Sequence, residues 1–168
     1  MNDRYETKLE GFVIRKAEES DTKLVLDFIK ALADYEKLPN EVSATEDVLH
    51  DSLFVKRAAE VIIGEYHGEP VAFSLFFHNF STFQGKRGLY LEDLFVKPEM
   101  RGHGFGGAML AFLAKTAKER DCGRFEWICL DWNESALAVY RKLGAIPMTG
   151  WTIQRLEGTA LDDLAMRI

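Results

Sequence analysis

Apolar residues recur along this chain in two rhythms, and the change from one to the other marks its elements. Leu24, Leu26, Phe28, Ile29, Leu32 and Ala33 fall at helical spacing. The acidic and capping types Glu18-Glu19-Ser20-Asp21 start that helix, and Pro39-Asn40 ends it. Ser43 to Leu53 predicts a second, shorter helix, opened by Ser43-Ala44-Thr45-Glu46 in the form of a capping box. Short apolar or alternating runs predict strands at Phe12–Arg15, Ala59–Glu65, Val71–Phe77, Leu89–Val96, Phe125–Leu130 and Trp151–Leu156. His67-Gly68-Glu69 turns the second of these into the third, and Phe80 to Gly88 reads as a polar, glycine-containing loop. Further helices are expected at Ala108–Arg120 and Glu134–Leu143.

The resulting order is β-α-α-β-β-β-α-β-α-β. Antiparallel strands come first and a strand–helix–strand unit follows. This predicts an α/β (α+β) fold with a mixed, mostly antiparallel sheet and helices on both faces. Residues 1–10 read as a flexible polar leader. With no repeat, linker or low-complexity segment, residues 11–168 are expected to form a single domain.

Composition narrows the class. The chain has 168 residues, 47% apolar and 29% charged, as expected of a soluble globular domain with a core of its own. A net charge of −6 argues against nucleic acid as a partner and suits a cationic substrate. Cys122 and Cys129 fit neither a disulfide framework nor a zinc site, and are expected to be reduced thiols of a cytoplasmic protein. The four histidines are scattered, so no metal is expected. No signal peptide is read in MNDRYETKLEG, and no apolar run approaches the ~20 residues of a membrane span.

The chemistry concentrates in Arg101-Gly102-His103-Gly104-Phe105-Gly106-Gly107, between the strand Leu89–Val96 and the helix from Ala108. Glycines opening a helix leave bare N–H groups at its positive end, a cradle for phosphate or diphosphate. Read literally, the run also contains G-x-G-x-x-G, the dinucleotide fingerprint. Against that reading, Lys97 to Arg101 intervene after the strand. Only about sixty residues follow, too few to complete a doubly wound fold.

Arg-Gly-His-Gly-Phe-Gly is similar to the [RQ]-x-x-G-x-[GA] loop of the GNAT N-acetyltransferases, and the order of elements resembles theirs. Leu-Ala-Asp-Tyr35-Glu36-Lys, Tyr90-Leu91-Glu92-Asp93-Leu94-Phe95-Val96, Asp131-Trp132-Asn133-Glu134 and Tyr140-Arg-Lys-Leu-Gly-Ala resemble the diamine branch, which includes spermidine/spermine and thialysine acetyltransferases. The resemblance implies that Arg101, Gly102, His103, Gly104, Phe105, Gly106 and Gly107 hold the diphosphate of acetyl-CoA. Leu94, Phe95 and Val96 would present main-chain groups to its pantetheine arm, a backbone N–H among them serving as oxyanion donor, and Asn133 and Ala136 would bind the same arm. Lys142, with Arg141, belongs either at the CoA phosphates or on a solvated helix face. Tyr35 and Glu36 would line the acceptor pocket, with Asp93 and Glu126 as weaker candidates. The resemblance also implies a homodimer.

Acetyl transfer to an amine needs a neutral nucleophile and a proton for the departing thiolate. Ammonium groups have pKa values near ~10, so well under about one in a hundred is neutral at pH 7. Glu92, a carboxylate inside an apolar strand, is either structurally paired or functional. As a base it would act directly or through water. Alternation puts Leu91 and Asp93 on one side of the strand and Tyr90, Glu92 and Leu94 on the other. Tyr140 reads by default as a core aromatic. The resemblance makes it the acid.

Overall fold

The computed structural model describes residues 4–168. The chain is described as two compact units, one ending at Ile128 and the other spanning Cys129–Ile168.

The first unit is built on a six-stranded sheet: β1 (Arg4–Glu6), β2 (Phe12–Lys16), β3 (Glu60–Tyr66), β4 (Glu69–Ser81), β5 (Lys86–Val96) and β6 (Phe125–Trp127). The strands lie in sequence order, and every neighbouring pair is antiparallel except β5 and β6. A parallel step needs a crossover, which is supplied by helix α3 (Phe105–Glu119). Helix α1 (Thr22–Tyr35) and the short α2 (Glu46–His50), prolonged by a π-turn over Asp51–Val55, complete the unit.

Two apolar layers hold it together. On one face of the sheet Phe28 of α1 stacks on Phe73 at 5.2 Å, within a cluster that includes Val25, Leu32, Val61, Ile63 and Phe95. On the other face Phe105 of α3 stacks on Phe12 at 4.2 Å. Met109 and Leu113 of the same helix are fully buried. Helices therefore cover both faces, as the alternation of element types predicts.

Several boundaries differ from the sequence expectations. Arg4–Glu6, within the expected leader, pairs with Val13–Arg15 as an edge strand. Thr45, not Ser43, caps α2 by accepting from the Val48 N–H at 3.3 Å, so the expected capping box is not formed. The expected loop from Phe80 to Gly88 is largely ladder, with Phe80 opposite Arg87 and Ser81 opposite Lys86. Main-chain pairing there needs no apolar side chains, so alternation gave no signal.

A buried ion network fastens the edge of the sheet. Glu65 accepts from Arg15 and Arg4, each at 2.6 Å, and Arg15 also grips both carboxylate oxygens of Asp21. Burial pushes the Glu65 carboxyl up, but the hydrogen bonds from Arg15 and Arg4 outweigh it and hold it below its ordinary value. Glu65→Gln is expected to cost about 2 kcal/mol. The native contribution is complete above roughly pH 4.3 and is lost as pH falls through the depressed native value. Thermal unfolding at pH 7 and pH 3 checks this. The gap between wild type and variant should narrow in acid, and a pH-independent gap would remove the ionic role.

In the second unit α4 (Glu134–Lys142) matches the expected helix, and α5 (Thr159–Ala165) was not foreseen. The strand expected at Trp151–Leu156 is not formed among the described residues. Its apolar side chains Trp151 and Ile153 are 77% and 66% exposed. An amphipathic stretch becomes a strand only where another strand completes its hydrogen bonds.

Candidate active site

Strand β5 leads through a single 3-10 turn, Pro98–Met100, to Arg101 and the glycines. Gly102 and Gly104 both have φ of +83°, in the left-handed region open chiefly to glycine. Gly104 is the N-cap of the 15-residue helix α3, with no side-chain cap and no acidic residue in the first turn. The leading amides of α3 therefore lack a side-chain acceptor. A Cβ on Gly102 or Gly107 would meet nothing within 4 Å. Open space, uncapped donors and the positive helix end together fit a diphosphate.

His103 is exposed, its ring stacked on Phe105 at 5.4 Å and its Nδ1 3.1 Å from the Arg101 carbonyl, so it steadies the loop from within. Arg101 donates from Nε to the Val96 carbonyl at 3.1 Å.

Upstream of the loop, β5 carries a bulge. Leu75 of β4 faces Asp93 and the next residue, Phe76, faces Leu91, so Glu92 is the extra residue. The bulge corrects the alternation expected from sequence. Asp93 lies opposite Leu75 and Tyr90 opposite Phe77, so both sit on the α1 face, whereas Leu91 pairs with Phe76 on the α3 face. Glu92 is exposed at the kink. Burial, and then the charges of Glu92 and Glu36, push the Asp93 carboxyl up to about 6. Burial also raises Glu36, the residue that caps the C-terminus of α1. The charges of Glu92 and Glu36 thus both act on Asp93, at the end of α1 beside the bulge. Glu126 stands apart in its bonding: it accepts from Asn79 at 3.0 Å and pairs with Arg124 at 2.8 Å.

The bulge also marks where the sheet opens. Strand β6 pairs with β5 only at Leu89, Tyr90 and Leu91. Beyond Leu91, residues Leu94, Phe95 and Val96 keep their β4 partners but have no β6 partner among the described residues. Such an edge takes an extended chain carrying amides.

Residues 26–145 match the acetyltransferase (GNAT) family. The chain belongs to this family.

A thialysine N-epsilon-acetyltransferase of Bos taurus is 36% identical over 167 residues, covering 91% of this chain and 96% of the relative. The Mus musculus enzyme of the same name is 37% identical over 166 residues, with coverage of 92% and 97%. Among solved structures, an integron cassette protein from the mobile metagenome of V. cholerae has a TM-score of 0.77 at 25% identity, covering 92% of this chain and 98% of that one.

The remaining candidates of this GNAT acetyltransferase lie on α4 of the second unit. Asn133 is its N-cap, accepting from the Ala136 N–H at 3.3 Å. Asn133, Ala136 and Tyr140 follow at helical spacing along one stripe, and Lys142 is exposed. Two features of the site escaped the sequence: the bulge at Glu92 and the stacking of the Arg101 guanidinium over the Tyr35 ring, 4.2 Å from its centre. Adjacent acidic residues inside an apolar strand were the only signal for the first. The second had none.

Proposed function

We propose that this acetyltransferase moves the acetyl group of acetyl-CoA to a primary amine of a small, diamine-like acceptor. The observation that carries this is the carboxylate group of Glu36, Glu92 and Asp93 at the point where β5 opens, a few residues before the glycine loop. Acids in that position attract an ammonium, and the thialysine acetyltransferases among the relatives support a small amine.

Bound acetyl-CoA supplies the activated acetyl group. The loop Arg101 to Gly107 holds the diphosphate and the open edge at Leu94, Phe95 and Val96 holds the arm. By family resemblance, Asn133 and Ala136 of α4 are assigned to the arm and Lys142 to the phosphates. Tyr35, Glu36 and Asp93 hold the acceptor, with Glu126 at its margin. Glu92 takes the ammonium proton, directly or through water, and Tyr140 gives a hydrogen bond or proton to the departing sulfur. No covalent enzyme intermediate and no metal enter. The working unit is a homodimer in the cytoplasm, and the exposed Ile146, Met148, Trp151 and Ile153 offer apolar surface for a second copy.

The test is release of CoA thiol against thialysine, lysine, ornithine, putrescine, spermidine and spermine. Turnover on one or two of these is expected. Turnover confined to peptide amines or aminoglycosides would sink the proposal. Tyr140→Phe is the control. A thiolate is already a good leaving group, with a thiol pKa near ~8.5 against ~10 for the phenol. Its kcat should fall only about tenfold, below the usual range for a general acid, with acetyl-CoA affinity unchanged. An unchanged kcat would return Tyr140 to a packing role.

A further inference from the structure

Arg101 opens the phosphate loop, yet its best contact lies far back in the sequence. Its guanidinium carbon sits 4.2 Å from the centre of the Tyr35 ring and 5.7 Å from that of Phe95. Its Nε is spent on the Val96 carbonyl at 3.1 Å, and its terminal nitrogens make no hydrogen bond among the described residues. A side chain held by a ring face and a carbonyl, with its outer donors unspent, is aimed before any ligand arrives. Arginine otherwise loses much rotamer freedom on binding.

Tyr35 is the last residue of α1, and the next residue is Glu36, whose charge acts on Asp93. One helix end therefore carries the ring under the loop's arginine and one carboxylate of the acidic group. A diphosphate engaging Arg101 fixes that end through Tyr35, and an ammonium engaging Glu36 fixes the same end through the neighbouring residue. Whichever ligand binds first meets the ordering cost for the second.

We propose that Tyr35 is a positioning residue that aims Arg101 at the diphosphate, and that this contact couples the binding of CoA and amine. The coupling half rests on the diamine reading above; the positioning half does not.

The test is calorimetric titration of the full chain with CoA, alone and with saturating thialysine or spermidine. Cation–ring contacts imply a three- to tenfold rise in the CoA Kd for Tyr35→Leu (about that range), with Tyr35→Phe staying near wild type. Pantetheine, which lacks the diphosphate, should bind Tyr35→Leu as it binds wild type. Amine should tighten CoA in wild type and Tyr35→Phe but not in Tyr35→Leu, and by linkage CoA should tighten amine equally. In an Arg101→Gln background, Tyr35→Leu should have no further effect.

An unchanged CoA Kd in Tyr35→Leu, an equal loss of pantetheine, or a full effect persisting without Arg101 overturns the positioning role. Coupling that survives Tyr35→Leu overturns the coupling alone. If neither amine binds wild type, the coupling and the diamine reading fall together, while the CoA and pantetheine arms still decide the positioning role. Should Tyr35→Leu not fold, Tyr35→Phe against Arg101→Gln decides it. Phe must keep wild-type affinity and Arg101→Gln must lose it.

Discussion

Gly104→Val is expected to raise the Kd for acetyl-CoA at least about 100-fold. At a φ of +83° a side chain with a branched Cβ is strained, a cost of roughly 1–2 kcal/mol for any L-residue. That strain would be relieved by rotating the residue that caps α3, which turns the leading amides away from the cradle. A Cβ at this position lies at ordinary contact distance, 3.6 Å, from Leu9 Cδ1, so crowding adds little and the backbone carries the effect. Calorimetry reads the affinity and a melting curve shows that the variant is folded. A folded variant within threefold of wild type would mean that the loop does not hold the diphosphate.

Asp93→Asn is expected to stabilise the protein while harming its activity. The native carboxyl is pushed up to about 6, against ~3.9 in an unfolded chain. Between those values the unfolded chain gives up its proton first, so ionised Asp93 subtracts from stability. The loss is complete above about pH 6 and absent below about pH 3.9. The asparagine variant should therefore gain about 2 kcal/mol at pH 8, several degrees in Tm for a chain of this size, and nothing near pH 3.5. Its kcat/KM for diamines should fall, and that of wild type should fall as pH drops through about 6. Calorimetry across pH, with kinetics on the same samples, checks both. Absence of a stability gain at pH 8 would mean that Asp93 is not held against its preference.

The glycine loop was legible in sequence because its chemistry is local: consecutive residues make the turn, the cap and the donors. The β3–β4 hairpin was legible for the same reason, its two-residue turn at His67-Gly68 lying between apolar runs. The bulge was hidden by parity. Leu89, Leu91 and Phe95 share one parity in sequence, yet Leu89 and Leu91 face α3 while Phe95 joins the α1 cluster. A residue inserted into the ladder changes faces without disturbing the written pattern. The pairing of Tyr35 with Arg101 joins the end of a helix to a loop far along the chain, and no local rule links them. At Trp151–Leu156 the pattern was readable, but a strand depends on a partner that the pattern does not name.

The open edge of β5 divides labour within one strand. The side chains of Leu94, Phe95 and Val96 answer to the two apolar layers, while their outward main-chain groups have no β6 partner among the described residues. Amides and carbonyls are the same in every residue but proline. Over evolutionary time these three positions are thus able to exchange one apolar residue for another, following drift in the core, without altering what the edge grips. On the proposed reading, donor recognition is written in the backbone, where substitution of a side chain does not reach it.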